Sequence, residues 1–460
     1  MTIPQQTHQS NKAVFIIAAI TALGGLLFGY NVGIIGIALL GLAKQFVLTV
    51  TLQQIITSAT ILGALGGCML SQPISDRLGY RPTLLILGVW FCVASLACAL
   101  SPIINGLIVS RFLLGLPIGG ATQIIPVYIA ELAPARHRGK MVVFFQLMVI
   151  TGITLAYFGG LELGDHWRWM FGLGILPAIA LLLGMSILPE SPRWLVMKKR
   201  PQDAYLILKR IRGNEQLAQQ EIEAIKKVSH QPKGSWKEVM QPWVRPAIVV
   251  GASLAMFCQI TGNNALIYYA PIIFTQAGFS YTIAIIGSGI SIFIIAIMTI
   301  IGGILVDKIG RRRYLLWTVP GSIIALIAMG YLFLGNGPQT EVSKFLVIAC
   351  LAVYMLFNGG SFGVCIWLIN SEIYPLFIRG KGASIGAFSN WFFTLIVSLT
   401  TLSLVKTLGA TYTFWLYALI STLALIFIYA LVPETKGKSL EEIELELKNH
   451  RFYAFQQKKS

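Results

Sequence analysis

Charge is scarce in this sequence. Asp, Glu, Lys and Arg together make up 12% of its 460 residues, about half the share in a soluble globular protein. The shortage coincides with long apolar runs: 56% of residues are hydrophobic and the mean hydropathy is +0.74. An ordinary soluble domain is excluded, and a polytopic membrane protein is indicated. Ten-residue alternating strand patterns are lacking, so the spans read as helices and not as a barrel. Acidic residues are the scarcer sign, 18 against 35 Lys and Arg, for a net charge of +17. Nucleic-acid binding would favour such an excess, but these cations stand in short loops between apolar runs. That arrangement sets orientation in a bilayer, and no nucleic-acid partner is expected.

Cysteine at metal or redox spacing is missing as well. Cys68, Cys92, Cys98, Cys258, Cys350 and Cys365 all fall inside apolar runs, none in a CxxC or beside a histidine. Neither a disulfide framework nor a metal site is expected. His137 and His166 lie in loops and His8, His230 and His450 in polar segments, without ligand-like companions. There is no nucleophile paired with a base and no phosphate loop, so an enzyme is not expected and no cofactor is implied. The N-terminal MTIPQQTHQSNK is polar and uncharged until Lys12, and no small-residue cleavage site follows the first apolar run. That run reads as a retained helix.

What the chain does have is twelve apolar runs, near 13–38, 54–74, 82–101, 104–131, 140–161, 169–189, 245–275, 282–306, 314–335, 344–372, 381–405 and 411–432. Each is long enough to cross a bilayer with some tilt. With loops assigned alternately, one side collects Arg77, Arg81, Arg136, Arg138, Lys140, the 190–244 stretch, Lys308, Arg311, Arg312, Arg313, Arg379, Lys381 and the C-terminal tail. The other holds little beyond Lys44, Glu162, Asp165, Arg168, Lys344 and Lys406. The positive-inside bias therefore predicts cytoplasmic termini. The expected organisation is a tail over 1–12, a six-helix bundle over 13–189, a cytoplasmic linker over 190–244, a second bundle over 245–432 and a tail over 433–460. In the linker, Leu206, Ile207, Ile211, Leu217, Ile222 and Ile225 recur at loosely helical spacing, predicting short amphipathic helices on the cytoplasmic face.

Three pairs of segments repeat in order. Asp76-Arg-Leu-Gly-Tyr-Arg81 matches Asp307-Lys-Ile-Gly-Arg-Arg312 at an offset of 231 residues. Glu131 with Arg138-Gly-Lys140 matches Glu372 with Arg379-Gly-Lys381 at 241. Pro189-Glu-Ser-Pro192 matches Pro433-Glu-Thr-Lys436 at 244. A duplicated six-helix unit with a central insertion leaves such a trace, and paired repeats around a midplane site are transporter architecture. Positive-inside bias alone would demand arginines, but not carboxylates at matched positions. Glu131 and Glu372, with basic residues in the loop that follows, are expected to latch the cytoplasmic side.

The chain is centred on Arg111 to Glu131, RFLLGLPIGGATQIIPVYIAE. Gly115 and Gly119 stand four apart, as close helix packing favours. An arginine opening an apolar span is costly unless it is paired or lines a wet cavity, or else snorkels to the interface.

Taken in order, Gly24-Gly-Leu-Leu-Phe-Gly-Tyr30, Asp76 to Arg81, Arg111 to Glu131, Pro189 to Leu195 and Pro433 to Gly437 make the sequence resemble a sugar porter of the major facilitator superfamily. The resemblance runs from Gly24 to about Leu440. It implies an all-α membrane fold, two pseudo-symmetric six-helix bundles around a cavity that opens alternately to each side. It also implies sugar contacts: Gln146 on the fifth helix, Gln259 and Asn264 in Gln259-Ile-Thr-Gly-Asn-Asn264 on the seventh, Trp367 on the tenth, and Asn390 with Trp391 on the eleventh. The chemistry agrees. Amides offer donors and an acceptor to hydroxyls of a neutral sugar, and an amide in an apolar span usually faces the bundle interior.

The sequence departs from the family at four places. Asn31 follows Tyr30 where proton-coupled members carry aspartate, which would be the proton carrier opposite Arg111. Asparagine does not titrate, and the facilitative glucose uniporters also have it there. Cys258 stands for the first of two glutamines. Ile292 stands for an eighth-helix asparagine, and Val364 for a common proline. The expectation is a monosaccharide transporter of the cytoplasmic membrane, for a hexose or pentose such as glucose or xylose, working by facilitated diffusion and as a monomer. Alternatives are a sugar/proton symporter using another carboxylate, with protons as second partner, and a polyol transporter or transporter-like sugar receptor.

Overall fold

The computed structural model describes residues 6–133, 138–229, 235–335, 337–438 and 440–457. Eleven helices in it are long and apolar enough to cross a membrane. The last of them, Arg379–Leu431, has 53 residues and at ~1.5 Å per residue would be about 80 Å long, far more than one crossing needs. Gly409 divides it, with φ 84° and ψ 161°, so that eleven becomes twelve. The first helix runs from Gln6 to Gln45 and the second from Val50 to Leu78. Both overrun the expected 13–38 and 54–74, because helices continue past their apolar windows wherever nothing breaks them. The later spans are Tyr80–Leu100, Ile104–Leu132, Phe144–Leu163, Trp167–Ile187, Arg245–Gln276, Tyr281–Ile309, Arg311–Leu332, Glu341–Glu372 and the two pieces on either side of Gly409.

The chain forms two compact units. The first contains residues 1–34, 59–156 and 166–232. Its second and fourth spans meet backbone to backbone: a methyl at Gly67 would lie 1.9 Å from the carbonyl oxygen of Leu116, and one at Gly119 1.8 Å from that of Ala64. The four-residue glycine spacing seen in the sequence is thus a contact surface, one that no larger residue could occupy. The linker helices Pro192–Met197, Pro201–Arg212 and Glu215–Ser229 close around Leu195, Ala204, Leu208, Ala218 and Ile222. Ile211 and Ile222 are buried as the spacing predicts, but Leu206 and Leu217 are exposed. Ala204 and Ala218 take their places inward, because the true stripe (204, 208, 211) follows the i, i+4, i+7 rule more closely.

The second unit contains residues 35–58, 157–165 and 233–460. Its core packs Val250, Leu254, Val306, Tyr314, Phe362, Ile369, Tyr374 and Ile428. The end of the first span, the start of the second and the end of the fifth belong to it. Lys44 pairs with Asp165, and the Ser58 and Ser398 hydroxyls meet at 2.7 Å. The Ser403 hydroxyl donates to the Gln54 amide oxygen, and the Tyr157 hydroxyl donates to the Ile267 carbonyl.

Candidate functional site

The seventh span is broken. It consists of helices Arg245–Ile260 and Asn263–Gln276, with Gly262 between them at φ 100°. Gln259 and Asn264 are five residues apart, and on an unbroken helix their side chains would point about 140° away from each other. The break turns them together. The Asn264 amide donates to the Gln259 amide oxygen at 2.6 Å, and the Gln259 amide donates in turn to the Asn390 oxygen at 2.6 Å. Span eleven is set against span seven beside this point by Ser389, whose hydroxyl donates to the Ala252 carbonyl. Three of the expected sugar-contacting amides therefore form one hydrogen-bonded chain. Trp391, next along, is buried, whereas Trp367 is half-exposed. Cys258 and Ile292 are buried apolar positions of the same unit. Gln146 lies in the first unit, half-buried on the fifth span.

In the first unit Asn31 and Arg111 are both buried, at 4% and 1% exposure. The Asn31 amide donates to the Leu27 carbonyl one turn back on its own helix, at 2.9 Å. The Arg111 guanidinium sits 5.2 Å from the centroid of the Phe171 ring, a cation–π contact. Arg111 does not snorkel. It is held inside the bundle.

The charged ends of the spans repeat between the units in atomic detail. Glu190 accepts from the backbone N–H groups of Tyr80, Arg81 and Ser191 at 3.0, 3.1 and 2.7 Å. Glu434 accepts from those of Arg311, Arg313 and Thr435 at 2.9, 3.3 and 3.1 Å. Each carboxylate sits on the first turn of the span that follows Asp76 or Asp307, where helical N–H groups lack partners. Gly79 and Gly310 make room for it, with φ of 105° and 106°. Burial pushes the Glu190 carboxyl up from its ordinary value, and the three N–H donors pull it back. Arg81 donates to the Met185 and Ser186 carbonyls at the end of the sixth span, as Arg312 donates to Tyr429 near the end of the twelfth.

The carboxylates read as latches differ in their partners. Glu372 takes a two-point bond from Arg311, at 2.9 and 3.2 Å, and a third from the Thr435 hydroxyl at 2.6 Å. Asp307 reaches the same guanidinium at 3.2 Å. Arg311 is the first residue of the ninth span, whereas the sequence pointed to the loop after Glu372, where Arg379 opens the eleventh span half-buried. Glu131 accepts from the Ser191 hydroxyl. Tyr80 occupies the place that Arg311 has in the repeat, so the two halves cannot be bonded alike. Asp76 accepts from Gln72 at 3.0 Å, and Arg77 is exposed. The side chain of Arg138 lies outside the described residues.

Glu190 and Glu434 stand in the repeated Pro-Glu motifs, and the repetition was the signal that could have singled them out. Tyr354, Asn358 and Tyr417, which surround the break in the seventh span, carried no such signal. Each is one polar or aromatic residue in an apolar run.

The chain matches the family model described as "Sugar (and other) transporter" over residues 17–447. It is 40% identical to a D-xylose transporter of Levilactobacillus brevis over 93% of this chain and 94% of that protein. It is 36% identical to the glucose transporter GlcP of Staphylococcus epidermidis, over 96% and 98%. A solved structure of the xylose transporter XylE from E. coli, in a partially occluded inward-open conformation, superposes with a TM-score of 0.81 at 28% identity, over 93% of this chain and 99% of that one. A transporter family is not an enzyme family, and the twelve-helix membrane fold is common to both structures. With its motifs and its fold in agreement, the chain belongs to the sugar porter family of the major facilitator superfamily.

Proposed function

We propose that this chain carries a monosaccharide, a hexose or pentose such as glucose or xylose, across the cytoplasmic membrane by alternating access and as facilitated diffusion. The basic residues of the loops support cytoplasmic termini. The observation that carries the substrate reading is the chain of amides Asn264, Gln259 and Asn390. Without sugar these groups satisfy one another. Sugar hydroxyls, each a donor and an acceptor, replace those bonds one for one, so the site opens to substrate without stranding a buried polar group. Trp391 and Trp367 supply flat apolar surface for the C–H faces of the ring. Relatives named for xylose and glucose support the same class.

Facilitated diffusion rests on what can titrate. Asn31 cannot. Every Asp and Glu of the twelve spans stands within about a turn of a span end, and no histidine lies in a span when the first is counted from Phe15, where its apolar part begins. A proton-coupled cycle would have to use one of those terminal carboxylates, and Glu372 is already held by Arg311 and Thr435. The test of the site is counterflow of labelled glucose and xylose by Gln259→Ala and Asn390→Ala. Gln259→Ala takes the partner from both Asn264 and Asn390, and Asn390→Ala takes one from Gln259. KM is expected to rise about tenfold or more in each, since hydroxyl-reading sites discriminate through such bonds. Unchanged KM in both variants would remove the amide chain from the substrate site.

A further inference from the structure

The break in the seventh span is held from both sides by residues that do not belong to the amide chain. On one side stands the tenth span. Tyr354 and Asn358 are one turn apart on it, hence on one face, and both are fully buried. The Tyr354 hydroxyl donates to the Thr261 carbonyl at 3.1 Å, and the Asn358 amide donates to the Thr261 hydroxyl at 3.3 Å. That hydroxyl donates onward to the Cys258 carbonyl at 3.2 Å. On the other side stands the Tyr417 ring, 2.9 Å from where a methyl on Gly262 would sit, with its hydroxyl 2.9 Å from that of Thr401. Thr261 and Gly262, the two residues between the helices, are thus gripped by the tenth and twelfth spans.

Asn358 is a costly residue at this place. Its Oδ1 is buried and has no hydrogen-bond partner among the described residues. A leucine would fill the same space without a stranded acceptor, so the stability of the unit does not account for the amide. What the amide does is tie Thr261, and Thr261 lies between Gln259 and Asn264.

We propose that Asn358, with Tyr354, is a positioning residue of the sugar site: by fixing Thr261 it sets the break that brings the Gln259 and Asn264 amides together. This rests on the reading of those amides as the substrate site. The tie acts on affinity, because it orients groups that touch the sugar and touches no sugar itself. A misaligned amide loses its hydrogen bond steeply with angle.

The experiment is counterflow of labelled D-glucose and D-xylose by purified protein in liposomes, for Asn358→Leu, Tyr354→Phe, Thr261→Val and the double variant Asn358→Leu/Thr261→Val, with Gln259→Ala alongside. The expected result is a KM raised about fivefold or more in Asn358→Leu and in Thr261→Val, with the maximal rate within about twofold of the parent. The double variant should be no worse than either single one, because both remove the same tie. Thermal melting without sugar should be unchanged or higher in Asn358→Leu, which a purely structural role would not give. Tyr354→Phe, a smaller change, should move KM in the same direction. An unchanged KM in Asn358→Leu and Tyr354→Phe while Gln259→Ala raises it would overturn the positioning role and leave the site intact. An unchanged KM in Gln259→Ala would overturn the site reading itself. Additive losses in the double variant would show that Asn358 acts by a route other than Thr261, and would also refute the proposal.

Discussion

In the proposed facilitated diffusion, Asn31 is the residue on which coupling turns. Its amide is buried and bonded to its own helix at Leu27, and it carries no charge at any pH a cell meets. A carboxylate there would be buried in the same unit as Arg111, and its protonation would change the local charge by a full unit. Asn31→Asp is therefore expected to make the rate of sugar uptake depend on pH across the neutral range, where the parent protein is expected to be flat. The check is initial uptake at a series of symmetric pH values. A flat profile in the variant would mean that this position does not decide coupling. At this scale much was legible in the sequence. Amides such as Gln259 and Asn390 stand out in apolar runs because burying them without partners is expensive, and the structure gives them one another. Asn358 is an amide in an apolar run as well, but its importance depends on a break in another helix, which no local pattern reports. The partner of Glu372 was equally hidden. The sequence pointed to the basic loop that follows it, where Arg379 lies, and only packing decides that Arg311 holds it.

Among the elements, the seventh span matters most, and its break depends on one glycine. Gly262 has φ 100°, where side chains are disfavoured, and the Tyr417 ring covers it. Gly262→Ala is expected to cost roughly 1–2 kcal/mol from the backbone alone, with more from the collision. Melting of the purified protein should drop accordingly, and glucose binding followed by tryptophan fluorescence should weaken more than the melting shift explains. A variant that melts and binds like the parent would mean the break is not fixed by this residue. The helices themselves were legible from apolar length, but not their ends. The first two overrun their windows into polar sequence, and the eleventh and twelfth run together except at Gly409. A glycine in an apolar run looks the same in sequence whether it turns the chain, as at 409 and 262, or admits a neighbouring backbone, as at 67 and 119. The faces of the linker helices were only partly readable, because Ala204 and Ala218 are buried and alanine is too small to dominate a hydrophobic pattern.

The whole molecule is two versions of one plan. The repeats predicted from Asp76 and Asp307, and from the two Pro-Glu motifs, become matching helix caps at Glu190 and Glu434. Removing such a cap generally costs about 0.5–2 kcal/mol. Glu434→Ala and Glu190→Ala should each lower the melting temperature in detergent, measured by tryptophan fluorescence, and stability unaltered in both would remove the carboxylates from that role. Duplication was legible because motifs recur in order. The difference between the halves, Arg311 on one side and Tyr80 on the other, was legible letter by letter, but its effect on bonding was not. The central claim concerns the molecule as a whole: it equilibrates sugar and does not pump it. The most direct test is uptake of labelled glucose and xylose by the purified protein in liposomes, with and without an inward proton gradient. The account predicts that internal sugar rises to the external concentration and stops there under both conditions. Accumulation above that level, driven by the gradient, would contradict it.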